Sequence, residues 1–390
     1  MVPYLSCFSA ALFFFYAIYL MGMFNPLSQI LLSQFHLSAA QFGWLSASYF
    51  WANAIAVIPA GILLDRCKSR SFLLAVFLLC IISQLSLTFF PSLLSLWFCR
   101  LLGGIGNAFA FLGALRLAAH WFPKRHGLAM SSMITLGLLG GVVAQTPLAI
   151  LIAHSNWQFA MLISSGIAFV AWLFALLFLR DTVPIPSYEI LFKISSFWQV
   201  LKNFENWRCG FYTGLLNLPV TLLSAAFCNL YLLQRYSLPN SQVSSINAMI
   251  FLGIILGAPC CGWLTDYLRY RKLIMLIGAL LCLLVALLLI VNIQWSISML
   301  FVLFLLLGFF ASSQVISYPV VAGANPSYLI SSATSVVSIL MNLIGAVAQP
   351  LFVEIGKLFS VTGDVNYQAA MYLLPIAFLL SMAILFKPKI

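Results

Sequence analysis

Only 6% of the 390 residues are charged and 64% are hydrophobic, whereas about a quarter of an ordinary soluble domain is charged. A soluble enzyme is therefore excluded, and lipid is the expected solvent. The net charge of +11 would suit nucleic acid in a soluble chain, but in a membrane chain Lys and Arg report which loops stayed in the cytoplasm, so no nucleic-acid partner is expected.

At about 20 residues per crossing and about ten per turn, the chain has room for about twelve spans. The first apolar run, near 4 to 32, is too long for a signal-peptide core and lacks a basic leader, so it reads as the first span. Five more follow near 41 to 64, 71 to 90, 92 to 118, 127 to 153 and 157 to 179. The longest polar interruption, 181 to 206, comes next and reads as a cytoplasmic linker. Within it Ile190, Leu191, Ile194, Phe197, Trp198 and Leu201 recur at helical spacing, which suits either an interfacial amphipathic helix or a plain tether. Six further spans fall near 207 to 234, 243 to 265, 273 to 292, 295 to 321, 328 to 356 and 367 to 386. The expected organisation is thus all-α, with one six-helix bundle over 1–180 and a second over 207–390. Basic residues gather in alternate loops, at Arg66, Lys68, Arg70, Lys124, Arg125, Arg269, Arg271 and Lys272 and again at Lys387 and Lys389, which places both termini in the cytoplasm.

An internal repeat supports two halves. Gly61-Ile-Leu-Leu-Asp65 with Arg70 is answered 201 residues later by Gly262-Trp-Leu-Thr-Asp266 with Arg271. Gly141-Val-Val-Ala-Gln145 is answered 204 residues later by Gly345-Ala-Val-Ala-Gln349, and Pro147 just after the first copy by Pro350 just after the second. Duplicated six-span halves are the mark of a transporter in which one bundle rocks against the other.

The stretch Gly61-Ile-Leu-Leu-Asp65-Arg66-Cys-Lys-Ser-Arg70 resembles the loop signature of the major facilitator superfamily, and the resemblance extends over essentially the whole chain. It departs from the pattern at Lys68, where a second Gly is usual, and at Ser69, where a basic residue is usual. The resemblance implies a twelve-helix secondary transporter and makes Gly61, Asp65, Arg66 and Arg70 a conformational latch, with Gly262, Asp266 and Arg271 as its second copy. The physics is intelligible without the family, since a carboxylate at a helix end can bond Arg or cap orphan backbone N–H groups, and releasing it is a conformational latch. Arg100, followed by Gly103, Gly104 and Gly106, resembles the superfamily's Arg-x-x-x-Gly-x-Gly motif. Arg100 lies about 12 Å into its span, where a charge costs at least ~2.5 kcal/mol on insertion scales. It should face a wet cavity or hold backbone carbonyls; substrate contact, coupling and structural bonding all stay open.

In this superfamily spans one, four, seven and ten line the cavity. The polar residues clustered there are Tyr16, Tyr19, Asn25 and Gln29; Arg100 and Asn107, two turns apart on one face; Asn217 and Asn229; and Gln314 and Tyr318. These are the candidate substrate contacts, with interhelical hydrogen bonding as the competing role of each. Gly104, Gly141, Pro147, Gly345 and Pro350 are candidate hinge or packing positions. The fifth span lacks the Gly-Pro-x-x-Gly-Gly form that resembles drug and proton antiporters, which demotes export. No Asp or Glu falls mid-span, so a buried carboxylate relay is not visible, and a proton or a sodium ion is left open as the coupling partner. The nine Cys show no metal spacing, and neither a metal nor a cofactor is expected. The expected function is uptake of a small anionic or zwitterionic metabolite (an amino acid, short peptide, organic acid or siderophore) across a bacterial inner membrane by a monomer surrounded by lipid. The alternatives are an exporter of lipophilic compounds and a sensor that keeps the fold without turnover.

Overall fold

The computed structural model describes residues 2–66, 69–181, 199–268, 270–326, 329–360 and 364–386, except for the side chains of Asp65, Arg66, His126, Asp266, Ser331 and Phe386. These residues form an all-α protein with twelve helices long and apolar enough to cross a membrane, and no strand among them. Most of the expected amphipathic helix in the linker lies outside the described residues. Helix starts follow local chemistry. Ser92 and Ser95 form a reciprocal capping box, and the side chains of Asn156, Ser296 and Asn366 each accept from a backbone N–H in the first turn of their helix.

The chain divides into two compact units. The first comprises residues 1–27 and 48–192, and the second residues 28–47 and 193–390. The short piece 28–47 belongs with the second unit because its residues pack there. Phe42 meets Phe227 edge to face at 5.9 Å, and Gly43 lies against Pro350 and Val353 with no room to spare.

In the first unit the first span runs Val2–Gly22, breaks at Met23 and resumes as Phe24–Gln34. The cause is local. Pro26 has no N–H to return to the carbonyl four residues back, which is that of Gly22. In a membrane no water replaces the missing donor. The side-chain amide of Gln145 does so, donating to the Gly22 carbonyl at 3.1 Å, while the Gln145 amide oxygen accepts from Asn25 at 3.0 Å.

The second unit has a corresponding arrangement. Its seventh span of the chain, Phe204–Tyr236, changes at Pro219–Phe227 into a π-helix, a geometry common at functional sites. Gln349, the repeat partner of Gln145, donates to the carbonyl of Thr221 inside that segment at 2.6 Å. The tenth span, Ile297–Ala324, tightens to 3₁₀ geometry over Ser312–Ile316, just before Pro319.

Glycine sets how close the helices come. A Cβ on Gly104 would strike the backbone carbonyl of Tyr49, and one on Gly308 would strike that of Ile250. These are the same pairing of spans in the two units, displaced by 204 and 201 residues. Small residues that let backbones touch are how helices associate where the hydrophobic effect offers no drive between them.

Candidate functional site

Arg100, in the fourth span Leu93–Trp121, is 1% exposed. Its Nη1 donates to the carbonyls of Leu20 and Met21 at 3.1 and 3.2 Å, in the last turn before the break in the first span. The guanidinium lies between two rings, 4.3 Å from the centroid of Phe24 and 4.8 Å from that of Tyr49, whose hydroxyl donates to the carbonyl of Ala17. A desolvated cation is thus held by helix-end carbonyls, where the macrodipole is negative, and by aromatic faces. Of the two environments expected for this charge, the structure shows the carbonyl one.

Tyr16 and Tyr19 stack at 6.1 Å in the same span. The Tyr16 hydroxyl donates to Gln84 Oε1 at 2.7 Å, and Gln84 donates onward to Ser164 at 2.6 Å and to the carbonyl of Met161 at 3.1 Å. Asn25, fully buried, joins Arg100 in bracing the break through Gln145. Asn107 is half-buried, with its Oδ1 buried and without a hydrogen-bond partner among the described residues. Gln29 is exposed and is counted with the second unit. The first unit therefore brings together Arg100, Asn25 and the aromatic pair around one broken helix.

In the second unit Gln314 donates to Asn217 Oδ1 at 3.0 Å, and the hydroxyls of Tyr212 and Ser313 meet at 3.0 Å. Tyr318 reaches Ser338 at 3.4 Å. Asn229 stands apart, fully buried and donating to Asn240 and Ser244 at 2.7 Å each.

The latch residues are described in part. Arg70 Nη2 donates to the carbonyl of Leu176 at 2.7 Å, and the Arg70 backbone N–H donates to Asp181 at 3.0 Å, so this arginine ties the start of the third span to the end of the sixth. Arg271 donates to the carbonyl of Pro319 at 3.1 Å, in the tenth span. The side chains of Asp65, Arg66 and Asp266 lie outside the described residues. A Cβ on Gly262 would meet nothing within 4 Å, and one on Gly61 only Leu112 at 4.0 Å. Among the hinge and packing positions, Pro147 and Pro350 lie inside unbroken helices, and Gly345 sits against Thr221. Gly141 offers its carbonyl to the surroundings of Gly22.

Sequence reasoning missed the glutamines. Gln84, Gln145 and Gln349 are fully buried and mid-span, and a neutral amide carries no insertion alarm of the kind Arg100 raises. The available signal was that Gln145 and Gln349 close the repeated Gly-x-x-x-Gln. Arg208 was also missed. It is 3% exposed, pairs with Glu205 at 2.9 Å and donates to the carbonyls of Ile384 and Leu385 at 3.1 and 2.6 Å, holding the end of the last helix. No cluster of His, Cys, Asp or Glu that could hold a metal occurs among the described residues.

A bundle of twelve spans with repeated halves and braced helix breaks defines a class, and the comparisons agree. The model of the Major Facilitator Superfamily matches residues 8–232 and 209–389, so the chain belongs to that superfamily. The chain is 23% identical over 365 residues, 83% of its length and 80% of the relative's, to the probable galactarate/D-glucarate transporter GudP of Escherichia coli (strain K12). It is 29% identical over 139 residues to a D-galactonate transporter of Escherichia coli O6:H1, a match over 35% of this chain that spans about a third of that relative (32%). In fold it is similar to a crystal structure of a bacterial homologue of the human lysosomal transporter Spinster, with a TM-score of 0.79 and 15% identity over 98% of this chain and 95% of that one.

Proposed function

We propose that this protein is a secondary transporter that takes up a small organic anion across a bacterial inner membrane by alternating access. The observation that carries the reading is Arg100, a mid-span cation held in place by carbonyls and rings. The chain's seven acidic residues are Asp65, Asp181, Glu189, Glu205, Asp266, Glu354 and Asp364, and none falls in the middle of a span. A desolvated cation in the middle of a span attracts an anionic partner. The GudP and D-galactonate relatives, both named for carboxylic acids, support the same class. In this reading the substrate carboxylate competes with the Leu20 and Met21 carbonyls for the guanidinium. Binding is thereby linked to the first-span break, and the arginines at Arg70 and Arg271 act as latches that open and close as the two halves move. The protein works as a monomer, with a proton or a sodium ion as the candidate coupling partner.

Uptake of labelled D-galactonate into proteoliposomes is the test, with Arg100→Lys and Arg100→Met alongside. Lys keeps the charge and can still reach a carbonyl; Met keeps the bulk alone. The expectation is saturable uptake that falls at least tenfold in Arg100→Met and partly survives in Arg100→Lys. Uptake that is equal in wild type and Arg100→Met, with all proteins folded, would overturn the anion assignment.

A further inference from the structure

The seventh span carries a break whose brace is only half made. In the first unit the Gln145 amide works at both ends. Its nitrogen donates to the Gly22 carbonyl at 3.1 Å, and its oxygen accepts from Asn25, three residues further on, at 3.0 Å. At the offsets of 204 and 199 residues, the corresponding residues of the second unit are Gln349, Thr221 and Ser224. Gln349 donates to the Thr221 carbonyl at 2.6 Å, but its oxygen, Oε1, has no hydrogen-bond partner among the described residues. Ser224, the counterpart of Asn25, donates instead to Oδ1 of Asn247 in the eighth span at 3.1 Å. Gln349, Ser224 and Asn247 are all fully buried.

Winding explains where Ser224 points. In an α-helix three residues turn through about 300°, so the side chain at i+3 comes back beside the carbonyl of residue i. The first unit keeps that geometry up to its break, where the Met23 N–H donates to the Tyr19 carbonyl four residues back at 2.9 Å. Pro219–Phe227 is a π-helix, in which hydrogen bonds reach five residues and each residue turns less. At its end the Cys228 N–H donates to the Leu223 carbonyl, five residues back. Ser224 is therefore carried off the face that Gln349 braces and onto the eighth span. Gln349 Oε1 is left as a desolvated acceptor with nothing gained in return. Winding the segment as α would bring Ser224 back to Gln349 and release Asn247, so the two forms exchange one hydrogen bond for another.

We infer that the segment Pro219–Phe227 is a two-state element, wound as π with Ser224 on Asn247 and as α with Ser224 on Gln349, while the complete brace locks the break in the first span. The element reaches the candidate contacts through Asn217. The Asn217 carbonyl accepts from the N–H groups of Val220 and Thr221 at 3.0 and 3.1 Å, and its side chain accepts from Gln314 at 3.0 Å. One residue of rewinding turns an α-helix by about 100°, so a change inside the segment moves the residue that meets Gln314. The inference is independent of the anion reading, because it holds whatever the substrate.

Hydrogen exchange of the purified full-length protein, read by mass spectrometry, tests this without a ligand. In the wild type the amides of 220–228 should exchange at least tenfold faster than those of 20–27, the fully braced segment of the first unit. Ser224→Asn gives the second unit the donor that the first unit has. It should slow 220–228 at least tenfold and leave 20–27 unchanged, whereas Ser224→Ala should not slow it. In a Gln349→Leu background the added Ser224→Asn should have no effect, because the acceptor is gone. Equal protection of the two segments in the wild type would overturn the two-state element, since a bound water would then complete the brace. An unchanged rate in Ser224→Asn would overturn it too. Slowing that survives the loss of Gln349 would show that the new amide acts through Asn247, and would overturn the exchange of partners.

Discussion

The two units solve one problem with different residues. In each, a span is broken at a proline and a glutamine from the repeated Gly-x-x-x-Gln donates to a carbonyl at the break, Gln145 to Gly22 and Gln349 to Thr221. In each, a glycine on one span touches a carbonyl on another, Gly104 on Tyr49 and Gly308 on Ile250. Those pairs fix the correspondence between the halves at offsets of 199 to 204 residues. Carried over to the charged site, they place Phe304 where Arg100 stands, Leu223 where Phe24 stands and Ile250 where Tyr49 stands, all three fully buried. Duplication has kept the backbone device and let the chemistry diverge, with a held cation in one unit and neutral hydroxyls and amides in the other.

Packing shows the same freedom. Gly140 lies against the backbone carbonyl of Phe15 in the first unit, whereas at the corresponding positions of the second unit Gly214 lies against the side chain of Ile344. The glycine has changed sides, and it admits a backbone in one unit and a side chain in the other.

The comparison can be broken in several ways, the largest first. Arg100→Ala removes the donor from the Leu20 and Met21 carbonyls and should cost about 3–5 kcal/mol, as breaking a buried charged contact does, whereas Phe304→Leu at the matching position should cost far less. Thermal unfolding in detergent reads both, and equal losses would show that Arg100 serves only as filler. Next, Gly104→Ala and Gly308→Ala each set a methyl on a carbonyl and should cost about 1–3 kcal/mol. Gly166→Ala, where a Cβ meets nothing within 4 Å, should be neutral or slightly stabilising. A loss in only one of the two close pairs would sink the claim that they are equivalent.

Smaller effects sharpen the brace. Gln145→Leu should cost about 1–3 kcal/mol for the unsatisfied Gly22 carbonyl. Because Pro26 created that need, Pro26→Ala should reduce the penalty, and a double-mutant cycle should show coupling of at least ~0.5 kcal/mol. Additive effects would mean that the proline and the glutamine are independent. The smallest expected change is at the two helix-end arginines, half-buried Arg70 and exposed Arg271. Arg70→Ala and Arg271→Ala should alter stability by no more than about 1 kcal/mol while changing the rate of substrate exchange.

The fold was legible because its signals are long. Twelve apolar runs and a repeat at nearly constant offset need no side-chain detail, and the span positions inferred from hydropathy fall on the helices seen. The site was legible in part. Arg100 stood out because charge in lipid is expensive, but its partners are backbone carbonyls, which no residue type announces. Asn217 and Gln314 were named separately, and their hydrogen bond depends on 3₁₀ tightening in the tenth span, which Pro319 alone does not specify.

The Gln145 brace also bears on the order of assembly. Gln145 lies 123 residues after Gly22, and at about 5–20 residues per second its synthesis follows by roughly 6–25 s. Throughout that interval the Gly22 carbonyl has no permanent donor, and lipid offers none. The broken form of the first span can therefore be completed only when the fifth arrives. The first five spans must become native as a block, and a chain stalled before Gln145 presents an unfinished break to whatever surveys the membrane for misfolded protein.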